Sequence, residues 1–209
     1  MKNICHSSHY QFIIGLLTIF LLTVAYAQAQ KRSQNVKLTN KGALAKEQTS
    51  FSSEKRISSQ VEIPPSVLTQ LATFDDGQLG KCQQDESLRQ KNAADHFAAA
   101  QINLNGDSRG DLIVQAQTAC FRGAHNTTFW IFVADDSSAG YELIFNIAVD
   151  SLQILKTAAN GYRDLQTASH TANELYTTVW KFDKQKYYSS ECRARSGSDN
   201  KSVKTKCRV

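Results

Sequence analysis

The chain has 209 residues, 41% of them hydrophobic and 21% charged. These ordinary values exclude a collagen-like, low-complexity or wholly disordered chain, and the length fits one domain, two at most. A net charge of +5 with a pI near 8.9 is milder than that of a dedicated nucleic-acid binder, so no specific nucleic-acid partner is expected.

The first feature along the chain is an apolar run from Phe12 to Ala25, preceded by Lys2 and followed by Ala25-Tyr26-Ala27. A short apolar core ending in a small-x-small site is the pattern of a cleaved secretory signal. The run is short for a bilayer span, which takes about 20 apolar residues. Residues 1–27 are therefore read as a signal peptide, with an uncleaved N-terminal anchor as the alternative. The mature chain is expected to be exported, periplasmic or extracellular, with no transmembrane segment. Without Cys5, four cysteines remain: Cys82, Cys120, Cys192 and Cys207. An even set in an oxidising compartment predicts two disulfides, with three connectivities open. No pair has the C-x-x-C spacing of a zinc site.

Residues 28–60 are polar and aperiodic, with seven Lys/Arg against two acids, and read as a disordered basic leader. Residues 193–209 carry six Lys/Arg against Asp199 and read as a basic flexible tail. The β-rich domain between them, 61–192, holds ten Lys/Arg and sixteen Asp/Glu. Its acidity directs the search for partners of the folded part towards cations and basic proteins.

The domain opens with Ile63-Pro64-Pro65, after which Val67, Leu68, Leu71 and Phe74 recur at helical spacing. Pro65 suits the first turn of a helix. A second short helix is expected over Gly80 to Gln90. From His96 the period changes to two. Eight strands are predicted, at 97–104, 111–116, 128–133, 141–147, 152–157, 164–169, 176–182 and 186–190. Turn residues such as Asn105-Gly106, Gly140 and Asn160-Gly161 separate them. That density leaves no room for βαβ units.

The strand region repeats itself, over about 96–150 and 151–192. Asn105-Gly106, Asp111-Leu112, Trp130 and Tyr141 recur as Asn160-Gly161, Asp164-Leu165, Trp180 and Tyr187; the aspartates lie 53 and the tryptophans 50 residues apart. The fold class expected is mainly β, an antiparallel meander of two propeller-blade-like repeats with one or two short N-terminal helices. Two blades do not close a ring, so one curved sheet or two packed sheets should result. Trp130, Phe132, Trp180 and Phe182 are read as core. Arg163 and Asp164 are read as a structural ion pair.

One loop carries candidate chemistry. From Asn103 to Asp111, oxygen side chains stand at Asn103, Asn105, Asp107 and Asp111, and the carbonyl of Arg109 falls where calcium loops use a backbone oxygen. Two readings stand: a weak calcium site, or Asn and Asp side chains that hydrogen-bond their own backbone and hold the turn. Ile102-Asn103-Leu104-Asn105-Gly106-Asp107 with Asp111-Leu112-Ile113-Val114 resembles the repeat core of FG-GAP/VCBS-type extracellular β-propeller proteins. Asn160-Gly161-Tyr162-Arg163-Asp164-Leu165 with Trp180-Lys181-Phe182-Asp183 resembles small exported bacterial proteins of unknown function. The resemblance covers about 96–192 and implies a calcium-loop geometry and an exported β-fold, but no catalytic residues. Asn103 and Ser108 depart from it, at positions where a carboxylate and a glycine are usual.

The function expected is an exported, non-catalytic binding or structural module for an envelope or extracellular protein or glycan. One alternative is a secreted hydrolase or nuclease using His125 or His170; another is an inhibitor of a basic lytic enzyme. No G-x-S-x-G, H-E-x-x-H or phosphate-loop motif occurs. The enzyme reading requires two of His96, His125 and His170 to converge with a carboxylate in one pocket.

Overall fold

The computed structural model describes residues 47–82, 84, 92–107, 109–135, 140–197 and 201–207. The signal peptide and the leader as far as residue 46 lie outside them, as does most of the stretch 83–91. The elements run β1 (Ser50–Ser52), β2 (Gln60–Val61), α1 (Pro65–Cys82), β3 (Phe97–Ile102), β4 (Asp111–Ala116), β5 (Thr127–Ala134) and β6 (Tyr141–Val149). They continue with β7 (Ser151–Ala159), β8 (Tyr162–His170), β9 (Glu174–Phe182), β10 (Tyr187–Ser196) and β11 (Ser202–Thr205). The protein is mainly β, with two antiparallel sheets and one α-helix among the described residues. One sheet has five strands in the order β2-β3-β4-β5-β6; the other has six in the order β1-β7-β8-β9-β10-β11. The chain passes from the first to the second across one residue, Asp150. No helix of the described residues is long and apolar enough to cross a membrane.

The period-two pattern explains the layering. In β3, β4 and β5 both alternate sets are apolar. Ala98, Ala100, Ile113, Phe129 and Ile131 face the six-stranded sheet and join Leu152, Leu165, Trp180 and Phe182 in one core. Phe97, Ala99, Leu112, Val114, Trp130 and Phe132 face the other way, against Val67, Leu71 and Leu79 of α1. Trp130 is fully buried there and meets Phe74, Phe97 and Phe121 edge-on at 5.5–5.6 Å. The four aromatics read as core are all buried.

The eight predicted strands are β3 to β10, in that order, most of them longer than the patterns that mark them. Other expectations are corrected. The first helix, expected to be short, runs on to Cys82, because Leu79 and Cys82 extend the buried face of Val67 and Leu71 beyond the polar Asp75-Asp76-Gly77. Residues 80–82 thus belong to the first helix; most of the remaining stretch proposed for a second lies outside the described residues. The leader is not disordered throughout. Phe51 and Ile57 are buried in the core, β1 pairs with β7 and β2 with β3. Two apolar anchors suffice there, since the rest of the attachment is main-chain pairing and long-range polar contacts such as Gln115 to Ser52 O, which leave no periodic signature. The tail is likewise built into the fold: β10 runs to Ser196 and β11 pairs with it from Ser202 to Thr205. Its anchor is covalent. The cysteines pair as Cys82–Cys120, tying α1 to the five-stranded sheet's connection, and Cys192–Cys207, tying the tail to β10.

Candidate functional site

The loop from Asn103 to Asp111 is a turn closed on its own side chains. Gly106, at φ +76°, takes the left-handed conformation that glycine permits. Its N–H donates to Asn103 Oδ1 at 2.7 Å, the Asp107 N–H to Asn105 Oδ1 at 3.1 Å, and the Arg109 N–H to Asp107 Oδ1 at 2.8 Å. Asp107 also receives the Arg109 guanidinium at 3.1 Å, and the Arg109 backbone N–H first of all holds its carboxyl below the ordinary range. Asp111 faces inward. It is fully buried and accepts from Leu104 N–H at 2.9 Å and Ala134 N–H at 3.3 Å. Burial pushes its carboxyl up, against the pull of those two bonds. The oxygens expected to share a calcium ion therefore serve backbone groups, and the two carboxylates lie in different settings, one half-buried and paired, one buried. Among the described residues no three His, Cys, Asp or Glu side chains are placed to hold a metal ion.

The expected Arg163–Asp164 ion pair is not formed. Arg163 instead reaches back to Glu47 at 2.9 Å, and its N–H donates to Leu104 O at 2.8 Å, so it joins the β7–β8 hairpin to the leader and to the Asn103 loop. Asp164 is buried on β8. Burial of Tyr187, whose hydroxyl donates to Arg163 O at 2.6 Å, raises its pKa above the ordinary tyrosine range, and the nearby Asp164 and Asp111 add to that.

The histidines separate into two groups. His96 is buried, its Nδ1 3.1 Å from Thr118 Oγ1. His125 and His170 line one open cleft of about 690 Å³ together with Ser53, Glu54 and Asp150. His170 Nδ1 lies 2.6 Å from Asp150 Oδ2, which also accepts the His170 backbone N–H at 2.7 Å. The Asp150 carbonyl accepts from Ser53 N–H at 2.7 Å, and its own N–H donates to Ala168 O. The residue that turns the chain between sheets is thus also the one that orients His170. The His170 side chain is 61% exposed.

A more apolar concavity lies elsewhere. A groove of about 680 Å³ runs beside β6, whose residues Ile144–Val149 form one side. Tyr176, Thr178 and Trp180 of β9, Tyr187 and Cys192 of β10 and Thr205 of β11 line the other. It exists because β6 ends its sheet, so that the face of β9–β11 turned towards the core extends past the strands that would cover it. Lys186 and Lys206 also line it, as does Arg193, whose guanidinium turns outward with Glu191, and no carboxylate is among its described lining residues. Arg193 is bonded to Glu191 at 2.7 Å, which holds that carboxyl below the ordinary range. Sequence reasoning missed this groove, because its shape follows from strand order across two sheets. The Cys192–Cys207 disulfide, one of the connectivities the sequence left open, seats the basic tail there.

No protein-family model, no curated protein and no solved structure matches the chain in the comparisons made.

Proposed function

We propose that this chain is an exported binding module, a disulfide-braced β-domain that holds a partner in the groove beside β6 and performs no chemistry on it. The groove carries the reading: an apolar concavity with a few polar groups and a free strand edge is the usual form of a recognition site. In this reading β3–β6 and β7–β10 are two copies of one blade-like unit, each with a buried aspartate behind an Asn-Gly turn, and their divergence left one edge open. The cationic groove suits an acidic partner better than the basic lytic enzyme that an inhibitor would bind. The test is selection of displayed linear peptides, and separately of envelope glycans, on the disulfide-intact chain, counter-screened against Thr178→Trp. Ligands lost on Thr178→Trp, which fills the groove, support the reading. No ligand, or ligands indifferent to that substitution, would overturn it.

Calcium is a separable part of the proposal. An ion at the Asn103–Asp111 loop has to displace Arg109 from Asp107. A rise in melting temperature with millimolar calcium, absent in Asp107→Ala, supports it; no rise in the parent ends it.

A second reading is favoured by one observation, the His170–Asp150 pair in the cleft shared with His125. A carboxylate on Nδ1 fixes the tautomer and leaves Nε2 to act as acid or base, as hydrolysis of a phosphodiester or ester requires. Cleavage of RNA or an activated ester, lost in both His170→Asn and His125→Asn, would establish it over the binding reading.

A further inference from the structure

We propose that the groove's occupant is an extended acidic polypeptide segment that adds as a further strand to the free edge of β6. This rests on the groove being the recognition site, and it names the partner's chemistry.

The strand edges set the argument. A sheet edge presents unpaired main-chain donors and acceptors, and folds usually keep such edges short or charged. Three of the four edges here follow that rule: β1 has 3 residues, β2 has 2, and β11 has 4 with Lys204 among them. The fourth, β6, has 9 residues, and among the described residues no strand pairs with its far side. Ile144–Val149, the part of β6 along the groove, is long enough for a ligand strand of about 20 Å. A strand laid there places alternate side chains over Thr178, Trp180 and Cys192, a surface of β-branched, aromatic and sulfur groups suited to Val, Ile or Thr.

Charge selects the rest of the sequence. No salt bridge among the described residues holds Lys186 or Lys206, and the groove has no described carboxylate of its own to satisfy them. Side chains of the added strand that face away from the groove floor meet these cations at its margin and should be Asp or Glu. Residues 28–46 of this same chain, with five Lys/Arg and no acid, carry the wrong sign to be the occupant.

The experiment uses the full disulfide-intact chain and soluble fluorescent peptides of eight residues alternating Val/Thr with Asp. Two further versions are N-methylated at every second residue, one in each parity. Strand addition uses the main chain of one parity only. One methylated version should therefore bind within about twofold of the parent peptide and the other at least about tenfold more weakly. Replacing Asp by Lys in the peptide, or Lys186→Glu with Lys206→Glu in the protein, should weaken binding by about tenfold or more at low salt. Equal effects of the two methylation parities, or equal binding of an unstructured poly-glutamate, overturn strand addition while leaving the groove reading intact if Thr178→Trp still abolishes binding. Groove-dependent binding of a glycan but of no peptide also overturns it. Dimerisation through β6 that acidic peptide does not reverse assigns the edge to a second copy and overturns the proposal as well. Failure of every probe on the parent overturns this proposal and the groove reading together.

Discussion

The five-stranded sheet is covered on both faces and the six-stranded sheet on one, and the two differ in what they can tolerate. β4 is buried at all six positions, and both alternate sets of β3, β4 and β5 are apolar because helix and second sheet sandwich them. β10 instead alternates between residues turned to the core, such as Tyr187 and Cys192, and an outer set that includes Tyr188, Glu191 and Arg193. The doubly covered sheet spends its sequence on packing; the singly covered one keeps a face, and a groove, for something else.

The two tryptophans offer the strongest way to break that comparison. Trp130 lies in the sealed layer at 0% exposure, and Trp180 borders the groove at 9% with its indole N–H donating to Thr167 at 2.9 Å. Trp130→Ala should cost about 3–5 kcal/mol in urea unfolding, and Trp180→Ala should fall at the lower end of that range, because its cavity opens on water. An equal or reversed order would mean that the groove is closed in solution. The disulfides come next. Their cysteines are separated by 38 and 15 residues, so removing Cys82–Cys120 should cost about 4 kcal/mol and removing Cys192–Cys207 about 3 on the loop-entropy view. The second loss should also abolish groove binding, which the first should spare at temperatures where the fold survives.

Asp111→Asn should cost about 1–3 kcal/mol, since its amide nitrogen is set against one of the two backbone donors that the carboxylate accepts in the core. Burial raises the Asp111 pKa in the folded state, so its proton is held more tightly folded than unfolded. That contribution to stability is full below the unfolded value near 3.8 and is lost as pH rises through the raised one. The stability of the parent minus that of the variant should therefore shrink with rising pH across this window. Asp107, Asp183 and Glu191 are shifted down and act in the opposite sense, losing their contribution as pH falls. The smallest effect belongs to the exposed face: Tyr188→Ser, at a side chain 46% exposed, should change stability by less than about 0.5 kcal/mol.

The legible part of the fold is the part whose burial is periodic. Runs such as Thr128-Phe129-Trp130-Ile131-Phe132-Val133 declare a strand by themselves, and Asn160-Gly161, with both residues at positive φ, declares its turn. β1, β2 and β11 are held by neighbours distant in sequence and by single anchors, so their short polar segments read as leader and tail. The Asn103–Asp111 loop was legible as a turn from its Asn and Asp spacing. The meeting of His125 with His170 was not, because it depends on the corner at Asp150 and on where Ser53 docks beside it. Arg163 misled for a related reason: its partner, Glu47, lies in a segment read as disordered.

The order of strands has a consequence for how the molecule is made. From β3 to β11, each strand except β7 pairs with the one before it, so hairpins can form as soon as both arms exist. β1 is the exception: Ser50 pairs with Gln153, and that partner is synthesised only after the whole first sheet. The earliest described strand of the chain is therefore the one that must wait longest. A precursor interrupted before β7 would hold every strand of the first sheet and leave Phe51 without its strand partner Leu152. Docking of the N-terminal segment thus marks the start of the second sheet, and resistance of the region around Phe51 to proteolysis would report it.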